Sequence, residues 1–256
     1  MDRTAYRSFY RLERSHFWRI AKRRLILEVL ERRLGDARDR RILDIGGGAS
    51  LLPGCLRRWG EVIVIEPDSS TREFARRISG IDIRAGRLPD DLPVEGRFDV
   101  ITLLDVLEHI ESDIDALVRV RKLLSPGGVL ICTVPALKIL WGPHDVTLHH
   151  HRRYSRPGLR RVMEESGFRL LRLTYYTSFL LPVLAAQRGI QRIRAGRRPP
   201  VYQVRVPSRP VNALLGAIMS GERRILRRVD LPLGSSLLAV AESRPSRPAA
   251  PGVKTE

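Results

Sequence analysis

Arg41-Ile-Leu-Asp-Ile-Gly-Gly-Gly-Ala-Ser50 decides the fold. A short apolar run ends abruptly in three glycines, and the next residues, Leu51 to Trp59, read as a helix. Strand, glycine bend and helix together open a βαβ unit, which puts backbone N–H groups at the C-terminal edge of a parallel sheet. Glycine suits that bend because a Cβ would hold a ligand away and because the turn can require positive φ. Glu61-Val-Ile-Val-Ile65 then reads as a second strand ending in Glu66, 22 positions after Asp44. A carboxylate there is placed to accept hydrogen bonds from ribose hydroxyls.

The alternation extends outward on both sides. Ser8 to Leu34 reads as one or two helices, with Leu25, Val29 and Leu30 at helical spacing. Thr71 to Ile78 is predicted helical, Ile81 to Ala85 a third strand, and Phe98 to Leu104 a fourth, apolar enough to be buried on both faces. Asp113 to Leu124 follows as a helix stopped by Ser125-Pro-Gly-Gly128, then Val129 to Val134 as a fifth strand. Elements in that order predict a parallel sheet covered on both sides. Arg156 to Ser166 reads as a helix and Phe168 to Tyr175 as a sixth strand, whereas 136–155 is a loop rich in histidine and arginine. The last strand-like run, Ser236 to Glu242, comes only after a Pro/Arg-rich linker (Arg197 to Pro210) and an amphipathic helix candidate, Val211 to Val229. The chain thus divides into an N-terminal helical lid (1–39), a core (40–175), a basic helical insertion (176–235), the final core strand (236–243) and a disordered tail (244–256).

With 256 residues, 43% of them hydrophobic, the chain can bury one core and a small appendage, which excludes wholesale disorder. Cys55 and Cys132 have no CxxC partners, which excludes a disulfide scaffold and thiolate metal sites. The longest apolar stretch, Tyr175 to Ala186, is too short and too interrupted to span a bilayer. No apolar leader segment follows the first arginines, so a cytoplasmic location is expected. Net charge is +18, and 42 of 46 basic residues are arginine, a bias that a GC-rich genome would produce by itself. Its distribution says more. Arg188 to Arg228 carries eleven arginines against Glu222 alone, a net of 11 − 1 = +10. Such a segment seeks anions: nucleic acid, lipid headgroups or a phosphorylated substrate, unless it is simply a solvated face.

The glycine bend also limits the cofactor. In Gly46-Gly-Gly48-Ala-Ser-Leu51, leucine takes the third glycine position of a dinucleotide fingerprint, which opposes a pyrophosphate on the helix N-terminus. Asp44 would repel phosphate and suit a cation. Ile42-Leu-Asp-Ile-Gly-Gly-Gly-Ala-Ser50 resembles the first motif of the class I S-adenosylmethionine (SAM) methyltransferases. Glu66-Pro-Asp-Ser69 resembles their second, Phe98-Asp-Val-Ile-Thr-Leu-Leu-Asp-Val-Leu-Glu-His109 their fourth, and Leu124-Ser-Pro-Gly-Gly128 their turn before strand five. His16-Phe-Trp18, His144-Asp145 and His150-His-Arg-Arg-Tyr-Ser155 look like a bacterial subgroup associated with sugar or envelope metabolism, and more distantly the chain is similar to ubiquinone-pathway O-methyltransferases. The resemblance implies a Rossmann-like doubly wound α/β fold with seven strands, the last antiparallel, and SAM as cofactor.

Carried over residue by residue, it implies that Gly46, Gly47 and Gly48 approach the methionine part, that Asp44 orients it, and that Glu66, followed by Pro67, holds the ribose. Leu104 and Asp105 would line the pocket near the methionine amine or sulfonium. Arg87 stands where relatives carry an aspartate to the adenine amine, so adenine contact falls to backbone, to Leu88 or to guanidinium stacking. Methyl transfer from a sulfonium needs mainly alignment and exclusion of water, with a base where the acceptor must lose a proton. His109 and His150 are the catalytic candidates. His144 (beside Asp145), Arg152, Arg153 and Tyr154 are candidates for gripping an anionic acceptor, and Trp18 for closing an N-terminal lid over it. Each also has a bland reading as capping, packing or surface turn. No metal is expected, because successive histidines point apart and the run carries no carboxylate cluster. The function expected is methylation of a small-molecule, lipid-linked or sugar-linked acceptor at oxygen or nitrogen, with peripheral contact to an anionic membrane face through helix 211–229. An RNA methyltransferase and a non-catalytic SAM-fold scaffold are the alternatives.

Overall fold

The computed structural model describes residues 12–48, 50–194 and 206–244. In chain order the elements are α1 (Phe17–Leu34), β1 (Arg40–Ile45), α2 (Leu52–Leu56), β2 (Gly60–Ile65), α3 (Ser69–Ser79), β3 (Asp82–Arg84), β4 (Phe98–Leu104), α4 (Asp113–Leu123), β5 (Leu124–Pro135), α5 (Pro143–Thr147), α6 (Arg156–Glu165), β6 (Phe168–Tyr176), α7 (Leu181–Arg194), α8 (Arg209–Leu226) and β7 (Ser236–Ser243). One seven-stranded sheet runs β3-β2-β1-β4-β5-β7-β6, and β7 pairs antiparallel with both its neighbours while the other pairs are parallel.

The continuous apolar strands serve two cores because side chains alternate across a sheet. Leu43, Ile45, Ile63, Ile65, Ile101 and Leu103 face one side, under Leu117 and Val120 of α4 and Leu159 and Met163 of α6. Ile42, Val62, Val64 and Val100 face the other, under Ile26 and Leu30 of α1, Leu56 of α2 and Trp59. Burying each such side chain contributes roughly 1.5–3 kcal/mol. A one-residue slip in β1 would exchange the two sets and bring Asp44 to the wrong face.

The expected strands and helices of the core form, with ends shifted by a few residues. β5 starts earlier than expected and absorbs the Ser125-Pro-Gly-Gly128 turn. The 136–155 loop contains α5 and a short 3-10 turn over Lys138–Leu140. The insertion differs most. It holds α7, which interrupted apolarity had concealed; Pro182 falls in its first turn, where a missing N–H costs no hydrogen bond. α8 starts at Arg209, slightly before the expected Val211. Residues 197–205 of the linker, the first eleven residues and the tail from 245 lie outside the described residues.

α8 lies along α1. Asn212 accepts from Phe17 N–H at 3.0 Å through Oδ1 and donates to the Ser15 carbonyl at 2.8 Å, so one amide serves both partners at the start of α1. Further along, Arg223 and Arg227 both reach Glu28. Glu222 is buried and accepts from the N–H groups of Thr177, Ser178 and Phe179, pinning α8 to the end of β6. The insertion therefore clamps the N-terminal helix against the C-terminal edge of the sheet.

Candidate active site

A cavity of about 810 Å³ opens at that edge, walled by the glycine bend, the end of β4, α1, the 136–155 segment and α7. Gly46 and Gly48 have φ of 74° and 53°, and the Gly46 N–H donates to the Ile65 carbonyl at 2.8 Å, tying the bend to β2. A Cβ on Gly46 would lie 2.5 Å from Val106, and one on Gly47 only 2.3 Å from Asp44 Oδ2. Side chains there would fill the cradle. Ser50 Oγ accepts from the Leu52 N–H at 3.1 Å, although the N-cap of α2 is Leu51, which offers no side-chain cap.

Asp44 is fully buried. Its Oδ1 accepts from the Thr102 hydroxyl, and its Oδ2 has no partner. Burial pushes its carboxyl up to about 7, against the opposing pull of the Thr102 hydroxyl and the Lys22 ammonium. Glu66 faces Gly48 across the bend, with Oε2 at 3.5 Å from the position of a Gly48 Cβ. Its Oε1 accepts from the Asp68 N–H at 3.0 Å, and burial raises its pKa. Glycine bend and glutamate thus face one another, as the sequence requires of a nucleoside cradle.

Asp105 lines the cavity with Leu104, as expected. It ends β4 with φ of 59°, and both its oxygens are engaged, Oδ1 by the Thr133 hydroxyl at 2.9 Å and Oδ2 by Lys22 Nζ at 2.6 Å. Burial would raise its pKa, but the Lys22 ammonium and the two hydrogen bonds hold it below the ordinary value. Lys22 escaped sequence reasoning although composition flags it: it is one of four lysines among 46 basic residues. It comes from α1 and also lies 5.4 Å from the Trp18 ring, so Trp18 reaches the cavity as expected.

Glu108 escaped too. It is fully buried, lines the cavity, and neither carboxylate oxygen has a hydrogen-bond partner. Burial, then the Asp105 charge, raises its pKa well above the ordinary value. Next to it the rings of His109 and His150 meet edge to face at 4.7 Å. Burial and His150 lower the pKa of His109.

Asp145 pairs with His150 rather than with its neighbour His144. Its Oδ1 meets His150 Nδ1 at 2.9 Å and accepts from Arg153 Nε at 2.8 Å, and its Oδ2 accepts from the Gly142 N–H. Burial opposes ionisation there, but His150, Arg153 and the backbone hold Asp145 far below the usual carboxylate range. A carboxylate at Nδ1 fixes the proton on that nitrogen and leaves Nε2 as the acceptor on a ring that lines the cavity. His144 stands 5.8 Å from the His150 ring, with its pKa lowered to about 4 by burial.

Of the expected acceptor-gripping residues, Arg153 lines the cavity but is spent on Asp145 and the Ala136 carbonyl. Arg152 and Tyr154 are corrections. Both turn away from the cavity to Asp113 Oδ2, at 2.9 and 2.8 Å, because alternate residues of an extended segment point to opposite sides. On the adenine side, Arg87 and Pro67 are exposed, while Leu88 is packed into the core; none of the three, nor Glu66, lines this cavity. Glu108, His109 and His150 each bring a ligand-type atom within 4.8 Å of the others, close enough to share one cation. The carboxylate comes from the end of β4, where the histidine run alone gave no hint of it.

A seven-stranded sheet with this order, a glycine bend at its edge and a buried Asp44 with one oxygen left unpartnered beneath it define a class I SAM-dependent methyltransferase fold, and the glycine bend, Asp44 and Glu66 fit that cofactor. The chain belongs to the methyltransferase-domain family Methyltransf_23, whose model matches residues 17–173. Among curated relatives, it is 38% identical over 100 residues to the ubiquinone biosynthesis O-methyltransferase of Roseobacter denitrificans. That match spans 36% of this chain and 40% of the relative's length. Among solved structures, a putative sarcosine dimethylglycine methyltransferase from Galdieria sulphuraria superposes with a TM-score of 0.60 at 15% identity, covering 88% of this chain and 86% of its own. The [4+2]-cyclase SpnF superposes with a TM-score of 0.57 at 17% identity, covering 89% and 82%.

Proposed function

We propose that this chain methylates a hydroxyl of a small-molecule acceptor carried on a lipid or sugar, working peripherally at the cytoplasmic membrane face. SAM would supply an activated methyl group when bound, and Gly46 to Gly48, Asp44 and Glu66 are the residues that would hold it. The chain's own residues do the rest. His150 takes the acceptor's proton at Nε2, and Asp145 holds the opposite N–H and stabilises the imidazolium that results. His109 packs its ring against His150 and fixes its plane. α1, with Trp18 and Lys22, closes the cavity against water as a lid, held there by α8.

The observation that carries this reading is the Asp145–His150 pair on the wall of the cavity that the glycine bend also lines. Transfer of labelled methyl from SAM to a panel of phenols, catechols and amines, each with and without a prenyl tail, tests it. Turnover of prenylated hydroxyl acceptors is expected; turnover of amines alone would move the reaction to nitrogen. The grouping of Glu108, His109 and His150 favours a second reading, in which a divalent cation lowers the acceptor's pKa. Dialysis against a chelator separates the two. An unchanged rate keeps His150 as the base, and a loss restored by added Mg²⁺ or Zn²⁺ transfers activation to the cation.

The relatives' partial coverage leaves RNA methylation as a weaker alternative, because only 6% of residues are aromatic and few can stack on bases.

A further inference from the structure

We propose that the mouth of the cavity is a docking face for an anionic phospholipid bilayer. The face differs from the one the sequence suggests. Much of the apolar stripe of α8 is used internally, with Met219 and Leu226 buried and the helix fastened to α1. Near the mouth the exposed apolar side chains are Ile139 (70% exposed) and Val146 from the 136–155 segment, Phe179 and Val183 at the start of α7, and Leu214 (61%) of α8, on which Val211 and Ile225 are exposed too. Their position relative to the cavity follows from its lining. Val183 and Leu148 are exposed and also line it, and Leu215, next to Leu214, lines it from α8. These residues form the rim.

Charge identifies the occupant. The 136–155 segment contains one acid, Asp145, and the stretch from 177 to 229 contains one, Glu222. Both are buried and spent, Asp145 on His150 and Arg153, Glu222 on three backbone N–H groups. Lys138, beside Ile139, and Arg209, at the start of α8, are exposed there. Among the described residues, neither segment presents an acid to solvent. Exposed aliphatic groups interspersed with cations and free of anions match an acidic headgroup layer over a shallow apolar one. Nucleic acid would use the cations but leave the aliphatic rim without a partner, and Phe179 is the rim's only aromatic.

This inference deepens the proposed acceptor, since a cavity opening on a bilayer admits a lipid-linked molecule directly, but the docking face is read without catalysis. The test is sedimentation of the full chain with vesicles of phosphatidylcholine alone or mixed with phosphatidylglycerol. Binding only to the mixed vesicles is expected. The double variant Phe179→Glu/Leu214→Glu should lose roughly tenfold or more in vesicle affinity. Leu171→Glu, also exposed but near the N-terminal end of β6, away from the mouth, should bind as the parent does. A charge-reversal pair, Lys138→Glu/Arg209→Glu, gives a second route should the first variant fold poorly, with calorimetric binding of S-adenosylhomocysteine reporting the fold of each. Equal binding to both vesicle types, no binding to either, or full retention by Phe179→Glu/Leu214→Glu would overturn the proposal. Salt-sensitive RNA binding that survives that double substitution would assign the face to nucleic acid instead. Vesicle binding without S-adenosylhomocysteine binding would leave this face standing and remove the enzymatic reading.

Discussion

The two halves of the cavity are built in opposite ways. The cofactor side is local: Asp44 and the glycine bend line the cavity, Glu66 lies beside Gly48, all within 23 residues, and β1 and β2 pair in parallel over their whole lengths. The acceptor half is collected from distant segments. Lys22 meets Asp105 across 83 positions, and Asn212 reaches Phe17 across 195. Backbone geometry specifies the first half and side-chain chemistry the second, so substitutions should affect binding in one and turnover in the other.

The largest effect is expected in the acceptor half. His150→Ala should lower kcat by about 10²–10⁴-fold, the usual worth of a positioned base, while calorimetry shows unchanged S-adenosylhomocysteine affinity. Loss of both together would erase the division of labour. Gly47→Ala should do the reverse, weakening S-adenosylhomocysteine by about 1–3 kcal/mol, because its Cβ would lie 2.3 Å from Asp44 Oδ2 and force the bend open. Glu66→Ala should weaken the same titration by ~1–3 kcal/mol through loss of a charged hydrogen-bond partner; unchanged affinity would remove Glu66 from the ribose.

Asp44 allows a pH test. Its folded-state pKa of about 7 lies above the ordinary 3.8, so the fold favours the protonated acid. The associated stability is complete below the ordinary value and is lost as pH rises through about 7. Asp44→Asn should therefore melt higher than the parent at pH ~8, by about 1–3 kcal/mol in stability, with the gap closing toward pH ~4. It should also bind SAM less tightly than S-adenosylhomocysteine, which lacks the positive sulfur. The smallest effect is expected at the clamp. Glu28→Ala removes the carboxylate shared by Arg223 and Arg227. Because that pair is partly solvated, the cost should be under about 1 kcal/mol, visible as faster hydrogen exchange in α1.

The core strands were legible because a buried parallel strand must be apolar along its whole length, and few other segments in the chain are. The glycine bend was legible because Gly46 and Gly48 take positive φ, which few other residues tolerate. α7 was not, since Pro182 and the polar residues before it break the apolar run without breaking the helix. The misassignments follow from the same limit. His144 and Asp145 are neighbours in sequence, but α5 turns the carboxylate toward His150. Arg152 and Tyr154 flank Arg153, yet an extended backbone sends them to Asp113 on the other side.

Sequence by itself determined the sheet, the cradle and the family, because each rests on short-range rules of backbone conformation and strand burial. Tertiary structure alone decided which carboxylate partners which base, that Lys22 occupies Asp105, and that Glu108 is left alone in the wall. Those outcomes depend on charges separated by tens to hundreds of residues, whose pairing and desolvation exist only once the chain has closed around them.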